Sequence, residues 1–151
     1  MKKKYSQFFL FIFLAWIFAF IFEEIPRTII SNIPGSQHLW ELGAAWFPLL
    51  LVWYSVIFLI GYFIFINKSI KYSVIYGILY GLIFETFYFK KMANVVSFVL
   101  FVLLYFGMFY FPFKITKMVY QKEKIKKSEV WLVVITQLLA LAILFMVRFA
   151  G

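Results

Sequence analysis

Six glutamates, one histidine and neither aspartate nor cysteine make up the acid–base and metal-binding stock of this 151-residue sequence. Without cysteine there can be no disulfide, thiolate metal site, c-type haem attachment or thiol nucleophile. Without aspartate a Ser-His-Asp triad cannot form. Glu85 is the glutamate whose placement matters most, because it falls inside a long apolar interval bounded by Lys71 and Lys90. A carboxylate within a membrane span costs roughly 2 to 3 kcal/mol when central and is by default a functional group. It can couple to protons, hold a cation or act as a general acid. Alternatively it fixes helix packing through a partner such as a tyrosine, Gln137 or Arg27.

Glu23, Glu24 and Arg27 form the second constellation. On a helix the glutamates lie four and three residues before the arginine, so either can pair with it. The plain reading is an interfacial cap that closes the first helix with its charges in water, where such pairs are weak. The functional reading is that these residues converge with His38, Glu41 and Glu85 at one end of a bundle. Four carboxylates and an imidazole resemble a metal-site inventory, but no two of them stand at a diagnostic ligand spacing. No metal and no cofactor are expected. Glu23-Glu24-Ile25-Pro26-Arg27 faintly resembles the paired-glutamate motif of the intramembrane CAAX-processing proteases. That motif has three residues between the second glutamate and the arginine, and two later histidine motifs, where this sequence has Phe84 with Tyr88 and Lys91 with Asn94. The protease chemistry is therefore not carried over. Phosphate-cradling glycine loops, Gly-x-Ser-x-Gly elbows and His-Glu-x-x-His helices are all missing from the sequence.

The elements that must position these residues are apolar helices. Hydrophobic residues make up 66% of the chain and aromatic residues 25%, far beyond what a soluble domain of this length can bury. The charges bunch between long uncharged intervals. With about 1.5 Å of rise per residue and a hydrocarbon core about 30 Å thick, these intervals read as membrane spans. The fold class expected is all-α, a polytopic transmembrane helix bundle of about five spans. They lie near residues 5–22, 43–66, 72–89, 93–113 and 130–148, joined by an outer loop at 23–42 and a basic cytoplasmic loop at 114–129. Lys2, Lys3 and Lys4 precede the first apolar run as in a secretory signal, yet no small-x-small cleavage site follows Ala15 or Ala19, so the run reads as a retained first span. Pro26 can open a short helical turn in the outer loop, and Pro34-Gly35 signals a turn before the second long helix.

Charge placement orients the bundle. Eleven of the fifteen basic residues lie inside if the amino terminus is cytoplasmic, which gives an N-in, C-out topology. Arg27, Lys90, Lys91 and Arg148 then lie outside. Topology therefore accounts for the net charge of +9, and no nucleic-acid partner is expected. The segment Lys114–Lys127 has partial helical spacing through Ile115, Met118 and Val119. It is expected to lie along the inner membrane surface and to attract anionic lipid by about 1 kcal/mol per lysine. In the third span Ser73, Gly77, Gly81 and Glu85 recur at intervals of four, a small-residue stripe suited to close helix packing or to a homo- or hetero-oligomer.

These features lead to a multi-pass protein of the cell membrane in contact with the lipid bilayer. The preferred function is a small transporter or binding protein, or the membrane subunit of a complex. Glu85 would sit at its outward-facing site, with Glu23, Glu24, Arg27, His38 and Glu41 forming the vestibule. The alternatives are an intramembrane enzyme acting on a lipid or lipid-linked substrate through Glu85, His38, Glu23 and Glu24, and a structural or immunity-type protein whose polar residues only pack.

Overall fold

The computed structural model describes the backbone of residues 2–31, 38–88 and 95–150, and within these the side chains of 4–29, 51–83, 95–96, 98–146 and 149. The described chain is helical throughout its length apart from short connections, and contains no strand. Helix α1 spans Lys2–Ala19 and passes through a π-helical turn, Phe20–Glu24, into α2, Ile25–Ser31. Helices α3 (His38–Phe65), α4 (Ile70–Tyr88), α5 (Val95–Gln121) and α6 (Lys127–Ala150) follow. Among the described residues three stretches are long and apolar enough to cross a membrane: Lys4–Ile29, Phe98–Gln121 and Lys127–Met146. Leu51–Phe65 and Ile70–Ile83 are shorter apolar segments among the described residues.

The π-helical turn has a chemical cause. Pro26 has no N–H to offer the Phe22 carbonyl, and its ring crowds that same carbonyl. The helix widens just before it, and the Ile25 amide donates to the Phe20 carbonyl, five residues back. The chain thus stays helical to Ser31, well into the stretch 23–42 expected to form the outer loop.

Helix α5 is the centre of the bundle and packs against α1, α4 and α6, with α3 bridging α1 and α4. It is buried on nearly every side from Leu100 to Lys117. Its core contacts are aromatic: Phe109 stacks on Phe58 of α3 with ring centroids 4.6 Å apart, and Phe113 meets Phe11 of α1 edge-on at 4.7 Å. Such pairs each contribute about 0.5–1.5 kcal/mol beyond their buried area. Helix α4 approaches α5 closely at two glycines. A Cβ on Gly77 would lie 2.5 Å from Phe109 Cγ, and one on Gly81 would lie 2.5 Å from Tyr105 Cδ2. The notches of the small-residue stripe are thus filled by rings of the same chain.

Helices α1 and α5 run antiparallel, which gives the bundle two chemically different ends. Ser6 and Tyr120 share a hydrogen bond at one end. At the other, the Arg27 guanidinium lies 4.7 Å above the Phe101 ring. Helix α6 is the least covered helix, its apolar side chains from Val130 to Phe149 largely exposed. That surface suits lipid, not water.

Candidate functional site

Phe11, Ala15 and Ala19 are buried at intervals of four along α1, and Glu23 is the next residue in that series. The stripe that buries apolar side chains therefore carries a carboxylate into the core, where Glu23 is only 1% exposed. Arg27 Nε and Nη2 both donate to Glu23 Oε1, at 3.1 and 3.0 Å. The other oxygen, Glu23 Oε2, is buried with no hydrogen-bond partner. The pairing expected from the i, i+4 spacing is present, but the glutamate is not the water-facing cap that its place after an apolar helix suggests. The four-residue recurrence from Phe11 was the signal in the sequence that could have found this.

Two further buried polar atoms without hydrogen-bond partners lie nearby. The Tyr54 hydroxyl of α3 is buried beside the Glu23 carboxylate, in reach of it as a donor although outside strict hydrogen-bond geometry, and in electrostatic reach of Arg27 and Tyr80. Glu24 Oε1 is likewise buried without a partner, beside Glu23 and Arg27. Unsatisfied buried polar groups are scarce in native structures, and each one calls for an explanation. Around them the framework is better satisfied. Trp53 Nε1 donates to the Tyr80 hydroxyl at 2.8 Å, fastening α3 to α4. Trp16 Nε1 donates to Ser55 Oγ at 2.8 Å, fastening α1 to α3. Thr28 Oγ1 caps the Glu24 carbonyl at 2.8 Å and steadies the π-helical turn.

Of the expected site residues, Glu23, Glu24 and Arg27 are therefore brought together. The side chains of His38, Glu41 and Glu85 lie outside the described residues; their backbones belong to the start of α3 and the last turns of α4. Among the described residues no three carboxylate or imidazole side chains lie close enough to hold a metal ion. The arrangement can accept a proton, a cation or a hydrogen-bond donor at Glu23, and the tyrosine beside it can donate or relay.

A second polar cluster, missed in the sequence, occupies the opposite end. Lys114 is 2% exposed, and its Nζ lies 3.0 Å from Glu123 Oε1 and 2.7 Å from Glu129 Oε2. It also donates to the Lys124 carbonyl at 3.1 Å. Lys117 Nζ donates to the Lys68 carbonyl and lies 3.7 Å from Glu123 Oε2. The segment expected along the inner membrane surface is thus divided: Lys114, Thr116 and Lys117 belong to the buried part of α5, while Met118, Val119 and residues 124–127 are exposed. Neighbours cover α5 around that buried part, so its lysines must find partners within the protein.

No protein-family model, curated protein or solved structure matches the chain. Its class rests on its own geometry: an all-helical protein with apolar helices of membrane-spanning length.

Proposed function

We propose that the chain is a five-span protein of the cell membrane, N-in and C-out, that binds or passes a small ligand at an outward-facing polar site. Glu23, Arg27 and Tyr54 form the floor of this site with Glu24 beside them, and Glu85, His38 and Glu41 are the further residues expected to contribute to it. The observation that carries the reading is the buried Glu23 carboxylate, with one oxygen held by Arg27 and the Tyr54 hydroxyl buried beside it. Burying a charge costs several kcal/mol, and a single arginine pairing offsets only part of that. A buried carboxylate between an arginine and a tyrosine hydroxyl suits a ligand that brings an N–H, an O–H, a proton or a small cation. The sequence has no phosphate-binding loop, so net transport would draw on an ion gradient, a partner protein or the substrate's own gradient.

The test is a melting screen of the purified protein against protons, monovalent cations and small organic amines. Compounds that raise the melting point of the wild type should bind Glu23→Gln at least tenfold more weakly, although Gln preserves shape and folding. Glu85→Gln should weaken the same ligands. Equal stabilisation of wild type and Glu23→Gln by every active compound would overturn the reading.

A further inference from the structure

The basic segment 114–129 holds six lysines and two glutamates, and the fold sorts them. Lys114 engages both glutamates, and Lys117 adds a second cation near Glu123. Lys122, Lys124, Lys126 and Lys127 are left exposed, while the acidic groups of their own segment are turned inward. The same network draws in a second loop. Lys117 donates to the Lys68 carbonyl, and Gln121 Nε2 donates to the Ile66 carbonyl at 2.9 Å. These bonds fasten the turn between α3 and α4, with exposed Lys68 and Lys71, beside the loop between α5 and α6. Six lysines from two loops thus share one end of the bundle, and the described acidic groups at that end are already paired.

We propose that this end is a docking surface for anionic phospholipid headgroups, formed by Lys68, Lys71, Lys122, Lys124, Lys126 and Lys127. Apolar side chains among the cations decide for lipid over a soluble polyanion. Met118, Val119 and Ile125 are exposed between the lysines, and Trp131 is exposed one turn into α6. A phosphate-rich soluble partner gains nothing from them, whereas headgroups contact the lysines while acyl chains cover the apolar residues. Lys114 and Lys117 take no part, because their ammonium groups are buried and spent on the protein itself. The proposal needs the chain to be embedded in a bilayer but does not depend on the Glu23 site.

The experiment compares the full chain in phosphatidylcholine nanodiscs with nanodiscs containing phosphatidylglycerol, reading the melting point and the lipids retained on extraction. Phosphatidylglycerol should be retained preferentially and should raise the melting point, an effect that fades as salt is added. Each neutralised surface lysine should weaken retention about fivefold. Lys122→Gln, Lys124→Gln, Lys126→Gln and Lys127→Gln together should remove most of the preference, and the separate pair Lys68→Gln and Lys71→Gln should remove part of it. Lys114→Gln should lower the melting point equally in both lipids and leave the preference intact. The proposal is overturned if the quadruple and double variants both keep the wild-type preference, or if the wild type shows none. It is also overturned if heparin binds the protein in phosphatidylcholine nanodiscs with the same lysine dependence and abolishes the phosphatidylglycerol preference in the mixed nanodiscs. Each of these failures leaves ligand binding at Glu23 untouched, so the two readings fall separately.

Discussion

Glu129 Oε2 lies 2.7 Å from Lys114 Nζ, joining the first turn of α6 to the last stretch of α5 across the connection between them. Tyr110 contributes a weak hydrogen bond to the same carboxylate oxygen, at 3.4 Å. Helix α6 is otherwise the least buried helix, so this ion pair holds it where apolar packing is thin.

Lys114→Met should therefore destabilise the protein by about 3 kcal/mol, the lower end for breaking a buried pair. The two glutamates keep some contact with water, at 33% and 18% exposure, which limits the penalty. Replacing the whole group, Lys114→Met with Glu123→Gln and Glu129→Gln, should cost less than Lys114→Met alone, because no carboxylate is left without its cation. Melting of the single and triple variants in one detergent decides this; a triple variant weaker than the single one would contradict it.

The glycines should rank by what a new methyl group meets. At Gly77 it strikes Cβ and Cγ of Phe109, atoms anchored close to the α5 backbone, so α4 itself must move. Gly77→Ala should lower stability by about 1–3 kcal/mol despite the better helix propensity of alanine, which returns only about 1 kcal/mol. At Gly107 the nearest atom is the Gln137 amide nitrogen, 2.8 Å away at the end of a flexible side chain. Gly107→Ala should cost less than Gly77→Ala, a difference read directly from melting points.

Lys122 ends α5 with φ 55°, in the left-handed region that a side chain disfavours. This turn folds Glu123 back towards Lys114 and Lys117. Lys122→Gly removes the conflict and should stabilise the protein by up to about 1 kcal/mol. Lys122→Val, β-branched at a position needing positive φ, should destabilise it. The pair of melting shifts must have opposite signs.

Single cysteines in this cysteine-free chain report topology without background. With five spans and a cytoplasmic amino terminus, cysteines replacing Asn67 and Lys124 should react with an impermeant reagent from the cytoplasmic side only. Those replacing Ala93 and Gly151 should react from the outside only. Cytoplasmic labelling at Gly151 would remove one span from the scheme.

Apolar composition, charge bunching and small-residue spacing made the helical character legible in the sequence, because these are local properties that each helix must satisfy alone. The Glu23–Arg27 pairing was legible for the same reason, since i, i+4 neighbours meet in any helix. Burial was not local. Glu23 is deep because the stripe Phe11–Ala15–Ala19 turns inward against α5. Lys114 and Lys117 are deep because α5 has neighbours around that turn, whereas Met118 and Val119 one turn on stay exposed. In sequence the lysines from 114 to 127 look alike. Only the fold, by bringing Glu123 and Glu129 to Lys114 and tying the 66–69 turn alongside, divided them into buried partners and an exposed cationic surface. Tertiary contact decides which charges meet, because the energy of an ion pair depends on distance and burial, and neither is written in the order of residues.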